Sequence, residues 1–493
     1  MKKSLAAALI AACLAPATFA DPEPDLSILQ VNVTAQGWNF RQPWQKLSPA
    51  DRTALGPLME GNKVLTTASI VSDAVYIELE KPGSGEKITA KVDAVDYEAN
   101  LALIAPVEAN EKFFDGMVPM DVDPTPVVGD ELEIWQVEDN GTPVVNKAVI
   151  TKIDIDQYFL DSSYFLIYEA TGSVQFRAAS RLLPIARGGK LAGLLLSYST
   201  RDQVSSILAA PIIEHFLKDV AEGEYDGFPN LGLSYAPTLD DQFRKYLNLN
   251  GDDDGVFVSG VQKGGSADKA GIKEGDVILA VDGHSIDRRG DYEDPKYGKL
   301  NLSHLVKGAA TVGQELKIDL LRGGEKTSVN AKLERKLPGE YLVDSYMFDR
   351  GPNFLILGGL LFQELTLPYL ETFGDEWDTR APFRLVYTAT HQEEFEDEGR
   401  RKVVFLSGVL PSLSTQGYEG LHSLVVTKVN GKQITDMKAL DDALASPKDG
   451  IHRIEFTDFP KVIFVDATMA QQDNESLMPN RYHIFKTKRI DEE

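Results

Sequence analysis

The sequence predicts a mainly β protein: a β-barrel region over residues 29–195, followed by two smaller α+β units. Three observations carry this reading. Short β-rich runs at close spacing fill the first part of the chain, no helical periodicity interrupts them before residue 204, and one strand-and-helix pattern occurs twice afterwards.

The runs are 28–33, 64–70, 75–79, 101–107, 131–137, 144–153, 164–169 and 191–196, each apolar or alternating and each bounded by turn residues. A helix is expected over 204–220, where Ile207, Leu208, Ile212, Ile213, Phe216 and Leu217 share one face. The glycine-containing stretch 222–229 ends that unit. The second unit, 228–336, carries the strand Gly255-Val256-Phe257-Val258, a helix over 266–270, and the strand-and-turn 275–283. The third, 338–493, repeats that grammar weakly in 425–434 and ends in a C-terminal extension. A chain of 493 residues with 43% hydrophobic content is long enough for about three separate cores.

The first twenty residues read as a secretory signal peptide: Lys2 and Lys3, an apolar run over 5–14, and small residues before a cleavage expected after Ala20. The mature protein, 21–493, is therefore expected to be periplasmic or secreted; a lipid anchor at Cys13 is the alternative. No later stretch is apolar for long enough to span a bilayer. Cys13 is the only cysteine, so cleavage removes disulfides, thiolate nucleophiles and cysteine metal sites together. No metal site and no cofactor are expected; the carboxylates of 393–398 read as a solvated loop. The formal net charge of −25 disfavours nucleic acid and anionic lipid as partners.

Several segments, in this order, resemble the Deg/HtrA family of serine proteases, and above all its plant-type branch with a divergent second PDZ domain. They are Asn39-Phe40-Arg41-Gln42-Pro43-Trp44-Gln45, Val64-Leu65-Thr66-Thr67-Ala68-Ser69-Ile70-Val71, Asp96-Tyr97-Glu98-Ala99-Asn100-Leu101, Gly227-Phe228-Pro229-Asn230-Leu231-Gly232-Leu233, and the run 354–362. The resemblance implies a trypsin-like double β-barrel over 21–220, a first PDZ domain over 228–336 and a divergent second one over 338–493. It also implies a homo-oligomer, trimer-based.

The departures bear on chemistry. Ser69 stands where the resemblance places the catalytic histidine, and Asn100 where it places the aspartate. Counting back from Gly189-Lys190-Leu191-Ala192-Gly193 puts the nucleophile at Ser180. Ala178 replaces the preceding glycine of that loop, and Arg181 and Leu182 replace the two that follow. A serine hydroxyl attacks an amide only when a base takes its proton, and there is no histidine between Asp21 and Glu214, since all seven lie from His215 onwards. Arg181 and Leu182 also remove the conformational freedom that an oxyanion loop draws from glycine. No catalytic residue is therefore expected; Ser69, Asn100 and Ser180 are degenerate triad positions, and a dyad of Ser180 with Lys190 has no support from spacing.

A PDZ domain pairs an extended peptide with a sheet edge and holds its terminal carboxylate on backbone N–H groups. The resemblance assigns that loop to Leu231-Gly232-Leu233-Ser234, with a helix over 302–306 as the far wall and Leu305 and Val306 lining it. In the third unit Leu357-Gly358-Gly359-Leu360 takes the equivalent place, and there packing is favoured over ligand binding. The expected function is that of an exported pseudoprotease acting as a peptide-binding, chaperone-like or scaffold protein on extended or C-terminal peptides, or on an active Deg/HtrA partner. The alternative is a working serine endopeptidase in protein quality control.

Overall fold

The computed structural model describes residues 27–138, 140–160, 163–174, 182–249, 254–396 and 398–490. The expected leader, Ala178, Ser180 and Arg181 lie outside them. The first six strands are β1 (Ile28–Ala35), β2 (Ala50–Met59), β3 (Lys63–Thr66), β4 (Ala74–Glu80), β5 (Lys87–Asp96) and β6 (Leu101–Pro106). They close into an antiparallel barrel in the order β1-β2-β3-β6-β5-β4. The next six, β7 (Glu131–Val137), β8 (Pro143–Gln157), β9 (Tyr164–Thr171), β10 (Pro184–Arg187), β11 (Lys190–Ser199) and β12 (Val204–Ala209), close a second barrel in the order β10-β11-β12-β9-β8-β7.

Alternation fills both interiors: Leu29, Val31, Val33 and Ala35 point inward from β1 and are 3% exposed or less. Closure brings neighbouring strands close at two glycines. A Cβ on Gly56 in β2 would lie 2.5 Å from the Leu65 carbonyl oxygen, and one on Gly193 in β11 would lie 2.5 Å from that of Leu208.

Two expectations are corrected here. Residues 204–209 are not the start of the helix but strand β12, paired with β11 and β9; the helix is Ala210–Glu222. Ile207 and Leu208 suit a buried strand as well as a helix face, and only the barrel's need for a sixth strand decides. The run 64–70 likewise breaks at Thr66, after which the one-turn helix Ala68–Val71 carries Ser69.

The two following units share a strand order. In the first it is Leu233–Pro237, Val256–Val261, Val277–Val281, Glu315–Arg322, Glu325–Lys332. In the second it is Leu360–Glu364, Val404–Val409, Leu424–Val429, Ile451–Phe456, Val462–Asp466, with Phe354–Leu357 and then Lys488–Arg489 added beyond Leu360–Glu364. The sequence pattern missed the hairpin Asp291–Asp294 with Gly298–Asn301 and the helical insertion Leu367–Glu371 to Gln392–Glu396.

Both units dock on the barrels. The helix His304–Gly308 of the first packs on the second barrel, where the Lys307 ammonium lies 5.4 Å from the centre of the Phe165 ring. The third unit grips the first barrel through segment 39–45: Arg41 lies over Phe373 at 4.4 Å and Arg489 over Trp38 at 3.8 Å, while Arg489 also donates to the Pro43 carbonyl.

His304 is 6% exposed, and its Nδ1 has no hydrogen-bond partner among the described residues. Burial holds its imidazole below the ordinary 6.5, partly opposed by the Asp294 charge. Folding therefore keeps the ring neutral, so stability is expected to fall as pH drops below 6.5, by up to about 1.4 kcal/mol per pH unit. Urea midpoints at pH 7.5 and 5.5 should separate for the native chain, and the part of that separation due to His304 should be lost in His304→Leu.

Candidate functional site

The turn between β5 and β6 brings Asn100 to the helix after β3. Asn100 takes φ +52°, a left-handed conformation that asparagine tolerates better than most residues. Its buried Oδ1 accepts the Ser69 N–H at 2.9 Å. The Ser69 hydroxyl lies 2.9 Å from that of Thr67. Beneath them Arg52 donates to the carbonyls of Ser69 (2.8 Å) and Ser72 (2.9 Å), which fixes the helix from the barrel side. Two of the three expected positions thus meet, and their contacts are amide and hydroxyl contacts with no titrating base.

Ser180, the third position, lies outside the described residues. Leu182, just beyond, is 6% exposed and belongs to the first barrel's core, and its carbonyl accepts the Leu55 N–H at 3.2 Å. Leu182, expected at the place of an oxyanion-loop glycine, is an apolar anchor in the first barrel's core. Lys190 pairs with Asp121 at 3.2 Å on the surface.

In the first PDZ unit Gly232 takes φ +68°, so the loop depends on glycine. The Leu231 carbonyl accepts the Ala267 N–H and the Gly232 carbonyl the Gln262 N–H, each at 2.8 Å. With its carbonyls so engaged the loop turns its N–H groups the other way. Leu231 is buried, Leu233 half-buried and Ser234 exposed, and Leu233–Pro237 is the edge strand of its sheet. Tyr235 on that strand donates to Asn301 Oδ1 at 3.0 Å. Leu305 and Val306 lie on the helix His304–Gly308, two residues later than the expected 302–306, and are 8% and 4% exposed.

The third unit differs at the corresponding place. Leu357-Gly358-Gly359-Leu360 is the turn of a hairpin, and strand Leu360–Glu364 is paired on both sides, with Phe354–Leu357 and with Val404–Val409. Leu355 and Leu357 pack with Met437 and Leu440 of the helix Met437–Leu444, so the chain's own strand fills the space between that helix and the sheet. The Gly358 N–H donates to Asn474 Oδ1 at 2.9 Å. A Cβ on Gly358 would lie 2.9 Å from Ala470 Cα.

Sequence reasoning singled out loop 96–100 for Asn100 alone, yet its neighbours form a buried charged cluster. The Asp96 carboxylate, 1% exposed, accepts the Ala99 N–H (2.8 Å), the Tyr225 hydroxyl (2.7 Å) and the Arg335 guanidinium (2.8 Å). Burial lowers the affinity of Arg335 for its proton, and Asp96 and Glu98 more than offset this. Burial raises the Glu98 carboxyl, partly opposed by Lys307. The cluster joins residues 96, 225 and 335, and no local motif announces such a junction.

Among the described residues no group of His, Cys, Asp or Glu is placed to hold a metal ion, and no helix is long and apolar enough to cross a membrane.

Two family models, both described as PDZ domain, match residues 234–291 and 343–490. The mitochondrial Do-like 3 protein of Arabidopsis thaliana is 27% identical over 84% of this chain and 71% of its own length. The mitochondrial protease Do-like 4 of the same plant is 24% identical over 81% and 73%. Among solved structures, an HtrA-type protease with a decapeptide shares the fold at a TM-score of 0.50 and 18% identity, over 64% of this chain and 95% of its own. By kinship along most of its length and by its trypsin-like barrels and C-terminal PDZ domains, the chain is a relative of the Deg/HtrA-like proteases.

Proposed function

We propose that this chain is a Deg/HtrA-like protein without peptidase chemistry that acts through its first PDZ unit, binding extended peptides with free, apolar C-termini. The observation that carries the reading is the pairing of Ser69 with Asn100: a hydroxyl and a neutral amide at the positions of the base and its carboxylate, in a barrel region with no histidine. Neither group takes a proton near neutral pH. The protease names of the relatives favour the second reading, a working endopeptidase; labelling by a serine-reactive fluorophosphonate probe separates the two.

Peptide binding is supported by the contrast between the two PDZ units. In the first, the strand after Gly232 is an edge with no strand beyond it among the described residues; in the third, the strand after Gly359 already has one. Main-chain pairing with one buried side chain gives modest affinity, on the order of micromolar, because the peptide loses its conformational freedom on docking. The domains divide at about 21–220, 228–336 and 338–493 on this reading, and export by the N-terminal leader supplies unfolded or partner proteins as ligands, in a homo-oligomer.

Gly232→Val should weaken binding of a peptide with an apolar C-terminus by tenfold or more, on the order of the 1–2 kcal/mol that a side chain forced to φ > 0 costs. Ser180→Ala should leave it unchanged, and amidating the peptide should abolish it. Fluorescence anisotropy against a C-terminal peptide library checks all three. Binding indifferent to amidation would remove the carboxylate from the model.

A further inference from the structure

We infer that residues 96–98 form a mechanical junction coupling the first PDZ unit to the third unit, so that releasing one loosens the other. Three consecutive side chains each hold a different part of the molecule. Asp96 binds Tyr225, in the link from barrel to PDZ, and Arg335, at the link between the two PDZ units. Tyr97 donates to Asp349 of the third unit and packs on Phe348 at 4.5 Å between ring centres. Glu98 faces Lys307 at 3.7 Å, on the helix His304–Gly308 of the first PDZ unit.

The third unit's side of the junction is a strap. Asp349 exchanges two hydrogen bonds with Asp73: each residue's N–H donates to the other's carboxylate at 2.9 Å. Asp73 follows the helix that carries Ser69, and Tyr97 precedes Asn100, so the strap ties together the two loops at the centre of the barrel site. Phe348 also stacks on Phe159, in the loop between β8 and β9, at 5.3 Å.

The physical basis is shared backbone and low solvent access. The Glu98 and Lys307 side chains are 11% and 18% exposed, those of Asp96 and Arg335 0% and 10%, so water does not replace a lost partner at little cost. While Glu98 stays ionised, moving Lys307 away leaves it a buried carboxylate with only the charge of Arg335 to oppose its burial, and relief then requires the loop to shift. That shift carries Tyr97 off Asp349, because no flexible residue separates them. The coupling does not depend on whether the first PDZ unit binds peptides.

Hydrogen exchange on the full-length protein tests this. Lys307→Met should speed exchange of the amides of 345–350 by about fivefold or more, the lower end of ordinary coupling between sites. By linkage, Asp349→Ala should speed exchange at 304–309 by a similar factor. Glu98→Gln, a milder change, should act in the same direction at both places, and Lys307→Arg should act at neither. Faster exchange confined to the segment that carries each substitution overturns the junction.

Discussion

Incubated with an unfolded substrate such as casein, the purified protein is expected to give no serine-dependent cleavage above background, and Ser180→Ala to change nothing. Loss of the general base alone lowers turnover in serine proteases by roughly 10⁴ to 10⁶-fold. On the proposed reading the place of the base holds Ser69, whose hydroxyl meets Thr67, and the place of its carboxylate holds Asn100, an amide that accepts a backbone N–H. Asn100 thus does the anchoring that orders the loop without the charge that steadies an imidazolium.

The double change Ser69→His with Asn100→Asp is expected to leave the rate at background as well. Leu182 is locked into the first barrel's core and its carbonyl into a bond with Leu55, so on the proposed reading the chain is held by packing from Leu182 onward, where an oxyanion loop must aim its N–H groups. Cleavage by the native chain that disappears in Ser180→Ala would falsify the non-enzymatic reading.

The second large effect concerns stability. Asp96→Asn keeps the shape of the side chain but breaks the ion pair of a buried Arg335 and leaves it only the charge of Glu98, and breaking a buried pair in this way costs up to about 3–5 kcal/mol. Arg335→Met should cost a similar amount, because Asp96 retains only the Tyr225 hydroxyl and the Ala99 N–H. The double variant should cost about 2 kcal/mol or more less than the two single losses added together, since neither charge is then stranded. A chain of several units unfolds in steps, so the first chemical-unfolding transition is the one to compare. Single variants within about 1 kcal/mol of the native chain would mean that water reaches the pair.

Some of the fold and of the site was legible in the sequence. Eight runs of alternating or apolar residues mark barrel strands, because a pleated strand with one buried face must alternate. β2, β5 and β10 escaped notice: β2 holds Gly56 and Pro57 amid its apolar residues, β5 is rich in lysine and aspartate on its wet face, and β10 is only four residues long and begins with a proline. Strand β12 was read as helix because a short apolar run suits either state. The pairing of Ser69 with Asn100 was foreseen only through the family resemblance, as nothing local links residues 31 positions apart.

What the sequence determined by itself is chemical: the absence of histidine from the barrel region, Ser69, Asn100 and Leu182 at their positions, and glycine at 232. These are properties of residue type, fixed before the chain folds. What only the tertiary structure decided is who is already occupied. Leu231-Gly232-Leu233 and Leu357-Gly358-Gly359-Leu360 read alike as turns, yet the strand following the first has a free edge and that following the second is covered by Phe354–Leu357. Hydrogen-bond partners across a sheet and ion pairs such as Asp96 with Arg335, 239 residues apart, are set by the path of the whole chain. Backbone donors and acceptors are the same at every residue, so the sequence carries no local record of which of them the fold has used.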